Sequence, residues 1–290
     1  MLAGIFKFGC SFEKELGDLK RKLSDIAHSA NIAKNSTTVS LGGDLMLTRL
    51  YTGQLIVVNR LDFSVAPHLM MDGQWEIEVS QLFRAHIKED SVVFDIGANT
   101  GYFGVIASTE IKSGNVHYFE ANPEFIPIIE KTLMINCLRE FSSVNNNVVS
   151  RNSDGNVQLQ LRDDRWGDSF VVTENRAMEK PDKIRNVNTV SIDDYCHDNS
   201  INNVDIVKID VEGYEEEVFY GMLNTIISNP SIVIFMEYTP ACYSDDFFGM
   251  LKKYFTNIRA IKNNEQISVS SERELVEIFG GDWAMLLLKN

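Results

Sequence analysis

Residues 91–108 read SVVFDIGANTGYFGVIAS. Val92 to Phe94 is a continuous apolar run, as expected of a strand buried on both faces. The chain then turns through Asp95, Gly97, Asn99 and Gly101 and leaves along YFGVIAS, which predicts the first turns of a helix. A glycine-rich turn between a buried strand and a helix lets a ligand approach backbone amides at a helix N-terminus. The stretch predicts a small-molecule site.

Spacing narrows the ligand. A dinucleotide turn reads G-x-G-x-x-G, and its second glycine is bare so that a pyrophosphate can come close. Here Asn99 holds the place of that glycine, and Asp95 adds negative charge two residues before Gly97. A ligand with an ammonium group and no pyrophosphate suits this turn better, and S-adenosylmethionine is the obvious candidate. A nicotinamide-dependent oxidoreductase is the alternative that Asn99 disfavours.

DIGANTG resembles the first motif of the S-adenosylmethionine-dependent methyltransferases. The pattern from roughly Gly43 to the C-terminus is similar to their FkbM-type family. The resemblance implies an α/β fold, a Rossmann-like doubly wound sheet with an antiparallel C-terminal strand pair. An N-terminal helix and a small β-rich leader would precede it. It further implies methyl transfer to a hydroxyl of a sugar, glycan or natural product. A scaffold that keeps the fold without catalysis is the other alternative, but its expected mark, loss of the glycine turn or of the ribose acid, is not found.

The chain has 290 residues, 44% hydrophobic and 23% charged, enough for one large α/β domain with an extension. A net charge of −14 argues against nonspecific binding to nucleic acid or anionic membranes. Cys10, Cys137, Cys196 and Cys242 form no C-x-x-C pair, which fits a reducing compartment and no structural zinc. The apolar run Leu2 to Phe6 is too short for a signal peptide core, and no stretch is long enough to span a membrane. These features predict a cytoplasmic protein.

Residues 1–35 are expected to form an amphipathic helix. Phe12, Leu16, Leu19, Leu23, Ile26, Ala30 and Ala33 make one stripe. That stripe suits either packing on its own domain or a homodimer through residues 12–33. Residues 36–88 alternate around Thr52-Gly53 and predict a β-hairpin leader or cap. Gly73-Gln74-Trp75-Glu76 is similar to a G-x-[WY]-E segment of the family, which would bring Glu76 to cofactor or substrate. A solvated acid at a helix start is the competing expectation.

Residues 89–290 alternate strand and helix as the methyltransferase domain. Val116 to Phe119 ends in Glu120, about 20 residues past the glycines, where an acid receives ribose hydroxyls. The cofactor set is completed by Tyr102 and Asn122 and, through the family pattern, by Asn147 and Val148 near the adenine. Val187 to Asp194 resembles the family's next strand and helix start. Between them, Arg162 to Arg185 is an irregular loop around Trp166, the kind of segment where acceptor selectivity resides.

Lys208 sits inside a buried-type strand, Val204 to Ile209, and alternation points it to the same side as Asp210. A lysine there needs a carboxylate partner. The fifth strand, Ile232 to Met236, ends in Glu237. Asp95, Glu120, Asp210, Glu212 and Glu237 all fall at or past strand exits, where open α/β sheets bind ligands. Asp210 or Glu237 is the expected base for a hydroxyl proton, Lys208 its orienting partner and Glu212 the second candidate. Asp210, Glu212 and Glu237 would also suit Mg²⁺ as oxygen ligands, but no metal is assigned.

Overall fold

The computed structural model describes residues 38–290 except 174, 175, 181, 182 and 241. The expected N-terminal helix and its dimer stripe lie outside the described residues.

The hairpin expected about Thr52-Gly53 is formed by β2 (Leu45–Arg49) and β3 (Leu55–Asn59), and β1 (Val39–Gly42) adds a third antiparallel strand. A third strand escaped the reading because β1 is exposed throughout and so carries no alternation. The outer edge of β3 is closed by the helix Ile126–Ile135. Thr132 Oγ1 accepts from the Val57 amide at 3.0 Å, and Asn136 Oδ1 accepts from the Leu55 amide at 3.0 Å. Capping an edge with side chains removes an open pairing template. Ile56, Val57 and Val58 are fully buried in the same apolar cluster as that helix, so leader and sheet share one core.

The main sheet has eight strands. β4 (Val92–Ile96), β5 (Asn115–Phe119) and β6 (Ser142–Asn145) run outward on one side. β11 (Ile206–Ile209) and β12 (Val233–Tyr238) continue on the other side, all five being parallel. β13 (Asn257–Lys262), β14 (Glu265–Ser268) and β15 (Ala284–Lys289) complete the order β14-β13-β15-β12-β11-β4-β5-β6 with antiparallel pairings. The expected antiparallel pair is β13 and β15; β14 is an additional edge strand. Two apolar clusters, one on each face, bury most of β4, β5, β11 and β12, which is why those strands are dominated by apolar residues, whereas β6 at the edge is half-buried. Strand order reverses between β4 and β11, the switch point beyond which such sheets open a crevice.

A second, four-stranded sheet lies beside the crevice: β7 (Val148–Val149), β8 (Asn156–Gln160), β9 (Phe170–Val171) and β10 (Ile184–Val190), in the order β7-β10-β8-β9. The segment Val187 to Asp194, expected as the next strand and a helix start, belongs to this side sheet through β10. The helix that follows, Ile192–Asp198, is capped by Ser191, whose Oγ accepts from the Asp194 amide. Among the described residues, no helix is long and apolar enough to cross a membrane.

Candidate functional site

The turn after β4 holds three residues at positive φ: Gly97 at 81°, Asn99 at 54° and Gly101 at 87°. Asparagine tolerates this region better than most side chains. Gly97 is required for space as well, because a Cβ there would lie 1.8 Å from the Asp210 carbonyl oxygen. The loops after β4 and β11 therefore touch at backbone distance, with the Asp210 amide donating to the Ile96 carbonyl at 3.0 Å. Asp95 stands behind the turn. It is 2% exposed and its Oδ2 accepts from the Gly104 amide at 2.7 Å. Burial pushes its carboxyl up to about 6, against the pull of Lys208. Asp95 and Gly101 were expected at the cofactor, yet neither lines the cavity in front of the turn. They shape the turn from the rear.

Glu120 lies at the exit of β5 and lines that cavity. Its Oε2 accepts from the Asn99 amide at 2.7 Å and its Oε1 from the Asn122 amide at 2.7 Å. Burial pushes the carboxyl up to about 7 even with these donors pulling it down. Asn122, Asn147, Val148 and Tyr102 line the same space. The Tyr102 hydroxyl, 3.3 Å from Ser80 Oγ, also ties the turn's helix to the leader.

Beyond β11 and β12 is a charged cluster. Lys208, 1% exposed, places its Nζ 2.7 Å from Asp210 Oδ2 and 4.5 Å over the Phe103 ring. The expected lysine–carboxylate pair is present. Burial works to raise the Asp210 carboxyl, but Lys208 and a hydrogen bond from Glu237 hold it below the usual range. Glu237 is pushed up to about 11 by burial and by the Asp210 charge, so it carries a proton at neutral pH. Burial and the Asp210 charge likewise raise Glu212 to about 8. Glu76 is pushed up to about 7 by burial, with Lys208 opposing and Asp210 adding. Its Oε2 is buried, which removes the solvated-acid reading.

Glu215 was missed by the sequence reading, which stopped at Glu212 in the acidic run Asp210 to Glu217. It replaces Glu212 in the group of carboxylates that come together: one oxygen each from Asp210, Glu215 and Glu237 lie within 4.8 Å. Glu215 is already engaged, since it accepts from the Val211 and Gly213 amides and from the Tyr243 hydroxyl at 2.8 Å. It thereby fixes the loop that carries Glu212 (φ 58°) and Gly213 (φ 92°). Glu215 is thus taken up by three donors and one Asp210 oxygen by Lys208, and no Mg²⁺ site is assigned.

The roof combines the leader with the irregular loop, a meeting that sequence reading also missed. Asp62, fully buried, accepts from the Trp166 amide at 3.0 Å and the Ser64 hydroxyl at 2.5 Å. Gly167 sits where a Cβ would lie 2.5 Å from Asn99 Nδ2 and 2.7 Å from Ser64 Oγ. The result is one cavity of about 370 Å³ bounded by turn, acids and roof. All three tryptophans of the chain, Trp75, Trp166 and Trp283, line it. No signal in the sequence links them.

The methyltransferase FkbM domain matches residues 95–264. A hexuronic acid methyltransferase, AglP of Haloferax volcanii, is 27% identical over 169 residues, 56% of this chain and 63% of that protein. The chain thus spans less than two thirds of that relative. Among solved structures, a precorrin-6y C5,15-methyltransferase from Geobacter metallireducens aligns with TM-score 0.43 and 13% identity, covering 73% of this chain and 89% of that one. A Pyrococcus abyssi tRNA (uracil-54, C5)-methyltransferase in complex with S-adenosyl-L-homocysteine gives 0.44 and 12%, over 85% and 44%. With the domain match spanning more than half of its length, the chain belongs to the methyltransferase FkbM domain family.

Proposed function

We propose that the protein is an S-adenosylmethionine-dependent O-methyltransferase acting on a hydroxyl of a sugar, glycan or related small molecule. The observation that carries this reading is the Lys208–Asp210–Glu237 cluster opening on the same cavity as the glycine turn and Glu120. The residues fit the cofactor. Glu120 suits ribose hydroxyls, and it lines the same cavity as Gly97, whose lack of a Cβ lets the turn pack on the Asp210 carbonyl. A pyrophosphate fits poorly, because Glu120 already occupies the Asn99 amide. The relative's action on a hexuronic acid supports a carbohydrate acceptor, and so do three tryptophans whose apolar faces can receive a sugar ring. Free thiols at Cys137, Cys196 and Cys242 agree with a cytoplasmic setting.

When bound, S-adenosylmethionine supplies an electrophilic methyl group on a sulfonium. The chain's own task is to align an acceptor hydroxyl and take its proton. Asp210 is the ionised carboxylate of the cluster and accepts that proton. Lys208 fixes one of its oxygens, and protonated Glu237 donates to it. A weak base suffices, since the acceptor oxygen becomes strongly acidic as it gains the methyl group. Calorimetric titration with S-adenosylmethionine and S-adenosylhomocysteine tests the cofactor, with Glu120→Ala as the control. Micromolar binding that is lost in the variant is expected, and a folded wild-type protein that binds neither would overturn the reading. Release of S-adenosylhomocysteine with hydroxyl-bearing sugars then tests the acceptor class.

A further inference from the structure

Glu76 has two features that packing alone does not explain. Its backbone is at φ 42°, ψ 57°, at the start of the helix Ile77–His86. Eight non-glycine residues have positive φ among the described residues. Two of them, Glu76 and Glu212, are glutamates, and both line the cavity. Left-handed conformations held by side chains other than Asn, Asp or Gly are uncommon and cluster at ligand sites. In addition, Glu76 Oε2 is a buried carboxylate oxygen with no hydrogen-bond partner. The nearby cation, Lys208, is bonded to Asp210 instead. A buried carboxylate oxygen without a donor is costly unless a bound group supplies one.

Position says which group. Glu120 marks the β5 side of the glycine turn, whereas Glu76 faces Lys208 and Asp210, on the β11 side. With its ribose at Glu120, a cofactor spanning this cavity would bring its amino-acid end to the side that Glu76 lines. We propose that Glu76 is the receptor for the primary ammonium of the cofactor's amino-acid end, with its strained backbone holding the carboxylate in place. This rests on the S-adenosylmethionine reading above.

The test compares S-adenosylhomocysteine with 5′-deoxy-5′-methylthioadenosine, which shares the nucleoside and thioether but lacks the amino acid. Calorimetry on wild type, Glu76→Gln and Glu76→Gly should show S-adenosylhomocysteine weakened about 10- to 100-fold. The truncated ligand should change less than about threefold. Unliganded Glu76→Gly should melt at or above the wild-type temperature, because glycine relieves the positive φ and removes an orphaned carboxylate. Equal affinities in all three proteins, equal losses for both ligands, or a glycine variant that melts several degrees lower would overturn the assignment. If wild type bound neither ligand, the cofactor reading itself would fall and take this inference with it.

Discussion

The two halves of the crevice satisfy their acids by different means. At β4 and β5, Asp95 and Glu120 are met by backbone amides of Gly104, Asn99 and Asn122. Those donors are fixed by the turn itself, so this half is set once the chain folds. At β11 and β12, Asp210 is met by side chains, Lys208 on one side and protonated Glu237 on the other. Such a cluster depends on the protonation of each member and responds to single substitutions. In the proposed reaction the first half holds the cofactor and the second takes the proton.

Four substitutions and one titration sharpen this contrast. The largest effect is expected for Asp210→Asn, which keeps the shape and removes the carboxylate proposed as the base. Turnover should fall about 10²- to 10⁴-fold while S-adenosylhomocysteine binding stays near wild type; turnover within threefold of wild type would remove Asp210 from the proton path. Lys208→Met should cost about 1–3 kcal/mol in urea unfolding, because it leaves the half-buried Asp210 carboxylate without its cation. An unchanged midpoint would show that the pair adds nothing to stability.

The pH dependence of stability comes next. Glu120 moves from an ordinary 4.5 to about 7 in the fold, so the native state keeps a proton that the unfolded chain has released. Stability of the unliganded protein should therefore fall as pH rises from about 4.5 to about 7. The Glu120→Gln variant should lose a part of that slope worth about 3 kcal/mol; an identical slope would place its carboxyl outside the buried environment. The smallest effect belongs to Glu237→Gln. A protonated glutamate and a glutamine both donate to Asp210, so turnover should stay within about threefold. A hundredfold loss would reverse the roles of Asp210 and Glu237.

Legibility followed the range of the forces involved. DIGANTG announced its turn because positive φ and backbone contact demand particular residues locally. Lys208 predicted its own partner because an apolar strand cannot bury an unpaired ammonium. Glu215 and Asp62 were not legible. Each has a partner far along the chain, Asp62 the Trp166 amide and Glu215 the Tyr243 hydroxyl. In the leader only β1 went unread, since it is exposed on all four residues and left no pattern.

By itself, the sequence determined the doubly wound sheet, the glycine turn, the acid at the end of β5 and the lysine–aspartate pair. All of these arise from apolar periodicity, backbone conformation and the cost of buried charge, which act within a few residues. Only the tertiary structure decided that Asp95 supports the turn from behind, that Lys208 pulls the Asp210 carboxyl down while burial and the Asp210 charge push Glu237 up, and that the leader and the Trp166 loop close one roof over the cavity. Those outcomes depend on burial and on distances between segments far apart in the chain, quantities that no local pattern encodes.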